Sequence, residues 1–287
     1  VSMKKKIGFI DLFIDEWHAN NYPEMIAKGS RGDRFEIAYA WEEAPAPEKR
    51  PLKQWCADFG VTPCASLEEM VEKSDCLCVL APANPEVHER LAQLPLQSGK
   101  PVYIDKPFAE NGETAKRIFA LAEKFHTPLM SSSALRYGDE FLAMQALFRE
   151  KNVSPAVAAT RGGGRNFPEY SIHQLEMIVA LLGVGAQNVI VTGNEKLLSG
   201  LVEYPDERSA SFSYNTGGTF ACFAQNGSVK AESSKMSNIF ENLLERIMEF
   251  YETGISPIPK EETLEIASVR AAAVEAMKKT GTRIPVK

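Results

Sequence analysis

The stretch KIGFIDLFIDEWHAN, residues 6–20, decides the fold, because an apolar run entered through lysines gives way to a polar segment that can become helical from Glu16. Residues 6–13 are therefore predicted to form a buried strand. Further apolar runs follow at residues 36–41, 75–81, 101–104 and 128–132. Segments with helical spacing separate them at residues 66–71, 86–94 and 113–125. Strands that alternate with helices predict an α/β fold, a doubly wound parallel sheet covered on both faces.

The pattern changes near residue 130. Helical spacing continues at residues 139–151, 170–182, 238–253 and 260–279, but the strands become short and are separated by turn residues. They are expected at residues 157–160, 188–192, 200–203, 208–214, 219–225 and 228–232. Short strands joined by turns predict a mainly antiparallel sheet. We therefore expect a first domain over residues 1–130 and a second, α+β domain with an open sheet over residues 131–287.

Composition limits the function classes. The 287 residues are 44% hydrophobic and 24% charged, as in globular proteins, and 32 Lys and Arg against 38 Asp and Glu give a formal net charge of −6. Without a basic field we expect no nucleic acid partner. The apolar runs are too short for a membrane span, and no leader segment is recognised, so a cytoplasmic protein is expected. The five cysteines lack the spacing of a metal or redox motif and are interpreted as reduced packing residues.

The turn after the first strand is where a parallel sheet ordinarily receives the pyrophosphate of a dinucleotide. No G-x-G-x-x-G pattern is present: the segment from Gly8 to Glu16 carries bulky side chains and carboxylates instead. Asp11 and Asp15 would repel a pyrophosphate. At the end of the second strand, Trp41 stands where an acidic residue usually receives the adenosine ribose.

Five short motifs, in order along the chain, resemble those of the Gfo/Idh/MocA family of dehydrogenases. They are APANPEVH at residues 81–88, the Asp105-Lys106-Pro107 triplet within residues 98–108, LRY at residues 135–137, GGG at residues 162–164 and EYSIHQLE at residues 169–176. In that family the triplet is E-K-P and the last two motifs form a G-G-G…D-x-G-x-H-x-x-D pattern, so a carboxylate is kept at positions 105, 169 and 176.

The resemblance implies a Rossmann-type first domain, a substrate and dimerisation domain after it, and a homo-oligomer, a dimer or tetramer. It implies hydride transfer between NAD or NADP and a small-molecule substrate, a sugar, polyol or related hydroxy compound bound between the domains. NAD is weakly favoured, because residues 41–43 offer no arginine for a 2′-phosphate. The implied cofactor-binding residues are Gly8, Ile10, Asp11, Phe13, Trp41, Ala81, Pro82, Asn84, His88, Asp105 and Lys106.

Three residues are candidates for catalysis. Lys106, at a strand end beside a carboxylate, can stabilise an oxyanion, and His173 can act as acid and base with Glu169, four residues earlier, as its partner or as a ligand of a substrate hydroxyl. Each has a plainer interpretation: Lys106 as a solvated lysine, His173 as a capping or core residue, Glu169 as an acid favoured by the helix dipole. Glu176 is expected on the helix surface, and the glycines of residues 162–164 form either a flexible connection or a close approach to a ligand.

Two other functions remain open. The missing glycines suit a non-redox metabolite-binding or regulatory subunit that has lost cofactor binding. A nicotinamide-dependent enzyme that cleaves glycosides is the other possibility. No motif for a metal site or a serine hydrolase is present, so no metal is expected.

Overall fold

A six-stranded parallel sheet organises the first half of the chain. In the computed structural model, which describes residues 3–287, its order is β3-β2-β1-β4-β5-β6. The strands are β1 (Lys5–Asp11), β2 (Phe35–Glu42), β3 (Thr62–Pro63), β4 (Cys76–Val79), β5 (Val102–Ile104) and β6 (Leu129–Met130). The order reverses at β1, which pairs with both β2 and β4, so the sheet is doubly wound, as the sequence predicts.

Helices connect these strands and have local causes in the sequence. They are α1 (Trp17–Lys28), α2 (Leu52–Phe59), α3 (Leu67–Lys73), α4 (Pro85–Leu91) and α5 (Gly112–Lys124). Helix α3 begins with a capping arrangement: the Ser66 hydroxyl accepts from the Glu69 amide, and the Glu69 carboxylate accepts from the Ala65 amide, one residue before the cap. Helix α2 and strand β3 were not predicted, because a short helix with one buried edge gives little periodicity.

The chain divides into two units. Unit 1 holds the described residues up to 109 with residues 116–131 and 243–258, and unit 2 holds residues 110–115, 132–242 and 259–287. Residues 243–258 contain most of helix α8 (Ile239–Thr253). There the Tyr251 hydroxyl donates to the Leu77 carbonyl oxygen at 2.8 Å, and its ring lies 6.3 Å from that of Phe35. This late segment thereby covers part of the parallel sheet.

Unit 2 contains a seven-stranded sheet of order β12-β11-β7-β10-β9-β8-β13. Its strands are β7 (Val157–Gly162), β8 (Asn188–Asn194), β9 (Leu197–Glu203), β10 (Ser209–Asn215), β11 (Ala221–Asn226), β12 (Val229–Ser233) and β13 (Ile284–Pro285). The pairings are antiparallel apart from β7 with β10. The expected α+β architecture with a mainly antiparallel sheet is therefore confirmed.

One face of this sheet is covered and the other is open. Side chains alternate strictly along β9 and β10, so Leu198, Val202, Ala210 and Phe212 are buried. They join a core with helices α6 (Asp139–Glu150), α7 (Phe167–Leu182) and α9 (Lys260–Lys278). The opposite face carries small and polar residues and a shallow depression of about 960 Å³.

Candidate functional site

Asp11 ends β1 at the edge where parallel sheets bind ligands, and it is 1% exposed. Its Oδ1 accepts hydrogen bonds from the amides of Leu12 at 2.7 Å and Ala81 at 3.1 Å. Its Oδ2 is buried and has no hydrogen-bond partner within residues 3–287. Burial raises the pKa of this carboxyl well above its usual range, and the charge of Glu16 adds to the rise.

Glu16 caps the N-terminus of α1. Its carboxylate accepts from the amides of His18 at 2.8 Å and Ala19 at 2.6 Å, and it lies 2.9 Å from His18 Nδ1. These amides are the donors that a helix N-terminus offers to an anion. In this chain the anion is its own Glu16, which is 8% exposed.

The turn between β1 and α1 is closed by further contacts with the segment after β2. The Glu42 carboxylate accepts from the Ile14 amide at 3.0 Å and from the Leu52 amide at 2.8 Å. The amides of Glu43 and Ala44 donate to the carbonyl oxygens of Asp11 and Leu12. Trp41 is half-buried, and Glu43 holds Arg90 of α4 through two hydrogen bonds of 2.6 and 2.8 Å.

Lys106 follows β5 in a small polar group. Its Nζ lies 3.5 Å from the Pro82 carbonyl oxygen and 3.9 Å from Asp105 Oδ2, and its side chain is 15% exposed. The Lys106–Pro107 peptide bond is cis. Asp105 Oδ1 accepts from the Tyr103 hydroxyl at 3.1 Å, and Asp105 Oδ2 lies 3.7 Å from His18 Nε2. The group therefore links Lys106 to Glu16 through Asp105 and His18.

His88 is a structural residue of the turn after β4. It is fully buried; Nε2 lies 2.7 Å from the Leu80 carbonyl oxygen and Nδ1 lies 3.1 Å from that of Phe108. Burial lowers the pKa of its imidazole. It ties together the turns that carry Pro82 and Lys106. The side-chain amide of Asn84, the residue before α4, donates a hydrogen bond to the Glu86 carboxylate.

Two of the proposed cofactor residues lie inside β1. Gly8 packs beneath α3, where an added Cβ would meet Met70 Sδ at 2.3 Å and Ser74 Oγ at 2.4 Å. Ile10 is completely buried in the core of unit 1. Both positions precede the strand end and face a helix or the core, and their assignment to a cofactor stays a prediction.

In unit 2, His173 belongs to a polar group that joins α7 to residues 132–136. Its Nδ1 lies 2.7 Å from Ser133 Oγ. The Glu176 carboxylate accepts from the Ser133 amide at 2.9 Å and from the Ser132 hydroxyl at 2.7 Å. Arg136 Nη1 lies 3.6 Å from Glu176 Oε1.

Glu176 is 3% exposed, so its expected place on the helix surface was wrong. Burial raises the pKa of its carboxyl, and the Arg136 charge opposes that rise. Glu169 lies in the first turn of α7, where it accepts from Arg165 at 2.6 Å and from the Asn166 side chain at 2.8 Å. This position in the first turn of α7 agrees with the plainer interpretation of Glu169 as an acid favoured by the helix dipole.

The glycines of residues 162–164 approach parts of their own unit. An added Cβ at Gly162 would meet the Phe220 ring at 2.5 Å, and one at Gly164, where φ is +152°, would meet the Tyr170 ring at 2.1 Å. The need for glycine there follows from packing.

Sequence reasoning gave no role to Glu16, His18, Ser133 or Arg136. The first two stand in the segment that lacks the glycines, and a Glu two residues before a His at a helix start was the available signal. Arg136 is the central residue of the LRY motif, to which no role was given, and Ser133 lies two residues before that motif. All five cysteines lie in the described part of the chain and are free and buried, as expected.

Residues 3–287 contain no cluster of three or more His, Cys, Asp or Glu side chains suited to a metal ion. Within the same residues, no helix has the length and apolar character that crossing a membrane requires.

Comparison with known proteins supports the resemblance. Residues 23–133 match the model of the Gfo/Idh/MocA oxidoreductase family, described as having an NAD-binding Rossmann fold. No curated protein matches significantly. The resemblance drawn from the motifs is thereby confirmed, and the comparison supports an enzyme of the oxidoreductase kind.

Solved structures share the fold at low identity. A probable dehydrogenase from Thermotoga maritima is 12% identical, with 98% of each chain covered and a TM-score of 0.82. A putative myo-inositol dehydrogenase from Sinorhizobium meliloti is 11% identical, with 99% of this chain and 100% of that chain covered and a TM-score of 0.81. Scyllo-inositol dehydrogenase from Lactobacillus casei, with bound NAD(H) and scyllo-inositol, is 14% identical, with 99% of each chain covered and a TM-score of 0.82.

The residues of this chain do not fit a dinucleotide pyrophosphate in the usual position. That position needs free amides at the start of the first helix and backbone that phosphate can approach. Here Glu16 already accepts from the amides of His18 and Ala19, and Phe13 brings a side chain into the turn. The buried Asp11 carboxyl group stands beside them.

Proposed function

We propose, from the place of residues 23–133 in the Gfo/Idh/MocA oxidoreductase family, that this protein acts on a hydroxyl group of a sugar, a polyol or a related compound. The observation that carries the proposal is the Lys106 ammonium, mostly buried at the carboxyl end of β5 beside Asp105 and the Pro82 carbonyl. Two of the similar structures are named as inositol dehydrogenases, and one of those holds scyllo-inositol. A polyhydroxylated substrate is the class that this likeness favours.

In this proposal Lys106 binds the substrate oxygen. An ammonium within hydrogen-bond reach of a hydroxyl or carbonyl stabilises negative charge that develops on the oxygen as the reaction proceeds. Asp105 Oδ2 lies 3.9 Å from Nζ, so it can orient the lysine while leaving donors for a ligand.

His173 exchanges the proton of the hydroxyl. The contact between Nδ1 and Ser133 Oγ sets the orientation of the ring, and proton exchange is assigned to Nε2. Glu169 is the proposed acceptor of a hydrogen bond from a substrate hydroxyl. The substrate would have to compete with Arg165 and Asn166 for this carboxylate.

The proposal of NAD or NADP as the hydride carrier rests on the matched family alone, whose Rossmann fold is described as NAD-binding. NAD stays weakly favoured: Arg90 lies near the end of β2, but Glu43 already binds its guanidinium, so a 2′-phosphate gains little there. A dinucleotide would have to bind without the amides at the start of α1.

A second candidate is a non-redox protein that binds such a metabolite. The occupied amides of α1 favour it, because the loss of the pyrophosphate contacts removes several hydrogen bonds that an NAD-dependent enzyme uses. Both candidates share the polyhydroxylated ligand and differ in whether a nicotinamide is reduced.

A two-stage experiment tests the proposal. Thermal shift with a panel of inositols, sugars and sugar acids first identifies the ligand, and absorbance of reduced nicotinamide then reports oxidation of that ligand with NAD or NADP. Oxidation supports the oxidoreductase, and binding without oxidation supports the second candidate. If no member of the panel binds, the substrate class is wrong.

Lys106→Ala gives the sharper readout. If the oxidation is found, we expect kcat to fall about a hundredfold or more with a smaller change in KM. Lys53→Ala, at an exposed position of α2, is the control and should behave like the wild type. An unchanged kcat in Lys106→Ala would remove this residue from catalysis.

A further inference from the structure

The start of α1 already holds an anion. In parallel sheets of this kind, phosphate oxygens accept from the first amides of the helix after β1 and gain from its dipole. Glu16 occupies that role here: its two carboxylate oxygens accept separately from His18 N and Ala19 N, at 2.8 and 2.6 Å. The helix has twelve residues, so its dipole is fully developed and acts on Glu16.

Two further amides of the turn, and one from the turn after β4, are also satisfied by the chain's own acids. Leu12 N donates to Asp11 Oδ1 and Ile14 N to Glu42 Oε2, while Ala81 N, from the turn after β4, donates to Asp11 as well. A phosphate entering this turn would have to displace buried carboxyl groups from their donors. At the amides of Leu12, Ile14, His18 and Ala19 it would only replace hydrogen bonds that the chain already makes.

Charge opposes the exchange too. Around the turn stand Asp15, Glu16 and Glu42, beside the buried Asp11 carboxyl, whose raised pKa favours its neutral form. The two nearby guanidinium groups are already in ion pairs. Arg50 binds Asp15 at 2.8 Å and Asp58 at 2.9 Å, and Arg90 binds Glu43. A pyrophosphate would therefore meet carboxylates without a free arginine from either of these two positions.

We infer that Glu16 takes the place of the pyrophosphate in this chain, and that α1 is closed to dinucleotides. The closed turn leaves His18 to face Asp105 at 3.7 Å, so the imidazole supports the Lys106 group instead of bordering a cofactor. This inference concerns the cofactor and is independent of the polyhydroxylated ligand proposed above.

Titration with ADP-ribose tests the inference, because this probe carries the pyrophosphate and both riboses without the nicotinamide. Calorimetry on the full-length protein, with up to about 1 mM probe, measures whether the probe binds at all. Amide resonances of His18 and Ala19, followed by NMR on labelled protein, report contact at the helix start directly. If ADP-ribose or NADH saturates the wild type and shifts those two resonances, the inference is overturned. If either probe binds and leaves both resonances unchanged, the helix start is closed as inferred.

Glu16→Ala frees the two amides. We expect ADP-ribose to bind this variant at least tenfold more tightly than the wild type, whereas Glu24→Ala, which removes an exposed acid from the other half of the same helix, should not differ. Melting temperatures of both variants show whether α1 stays folded, and the wild-type NMR titration decides the matter if Glu16→Ala does not fold. Binding of an inositol or sugar by the wild type is measured in parallel, so a failure of the substrate proposal is seen separately.

Discussion

Carboxyl groups in this chain occupy positions that solvent does not reach, and each is held by donors from a specific turn. Asp11 accepts from the Leu12 amide after β1 and from the Ala81 amide after β4, and Glu176 accepts from Ser132 and Ser133 in unit 2. Such groups are costly to ionise when buried, so they make stability depend on pH.

Glu176 gives a prediction with a definite sign. Because burial raises the pKa of this carboxyl in the folded protein above its value of 4.5 in the unfolded chain, ionisation favours the unfolded state as pH rises. Relative to Glu176→Gln, the wild type should therefore lose stability from pH 4.5 upward, until the folded-state pKa is passed. Urea denaturation of both proteins across this range measures the difference, and a difference that is constant or moves in the opposite direction would contradict the assignment.

Ser133 is predicted to position His173. Ser133→Ala removes the oxygen that lies 2.7 Å from Nδ1, so the ring should lose its fixed orientation. Once a reaction is established, we expect kcat to fall about five- to tenfold, as for a net hydrogen bond of about 1 kcal/mol, and the pH–rate profile to shift. An altered melting temperature with an unchanged pH profile would mean that Ser133 acts only in folding.

At the scale of elements, His88 links the turn after β4 to the turn after β5. The neutral His88 ring can donate to only one of the buried carbonyls of Leu80 and Phe108, so His88→Ala would leave that carbonyl without a donor, and we expect a loss of about 1–3 kcal/mol in the free energy of unfolding. His126→Asn is the control: the residue is exposed with φ of +53°, which asparagine tolerates, and its effect should be near zero. Equal stability of both variants would contradict the structural role of His88.

Elements with strong periodicity were predictable and elements with a special role were not. Most strands of both sheets, with α3, α5 and α9, follow from their apolar spacing, but the two-residue strands β3 and β13 do not. The position of α8 on the parallel sheet depends on tertiary packing of Tyr251 against Leu77, for which the local sequence carries no sign. Likewise, the need for glycine at positions 162 and 164 was visible, but the Phe220 and Tyr170 rings that cause it were not.

The candidate site was predictable in residue type and less so in arrangement. The family motifs locate Lys106 and His173, and the fold keeps Lys106 at a strand end as expected. That the two act on one substrate remains a proposal. The identity of the anion at α1 could not be read from Asp11 and Glu16 alone, because a carboxylate near a helix start can be solvated, paired or capping.

At the scale of the whole molecule, the open face of the unit 2 sheet bears on the predicted homo-oligomer. Leu201 is 47% exposed there, and Ile190 and Phe223 line the same shallow depression, so this face offers apolar side chains for packing against a second copy. We expect sedimentation to show a dimer or tetramer, and Leu201→Glu to shift it toward monomer, while Ile255→Glu in unit 1 leaves it unchanged. A monomeric wild type would refute the prediction.

The most direct test of the central claim is a crystal structure of the protein soaked in NADH. We expect the Glu16 carboxylate still to accept from the amides of His18 and Ala19, with no phosphate at the start of α1. A pyrophosphate oxygen within hydrogen-bond distance of those amides, with Glu16 displaced, would contradict it.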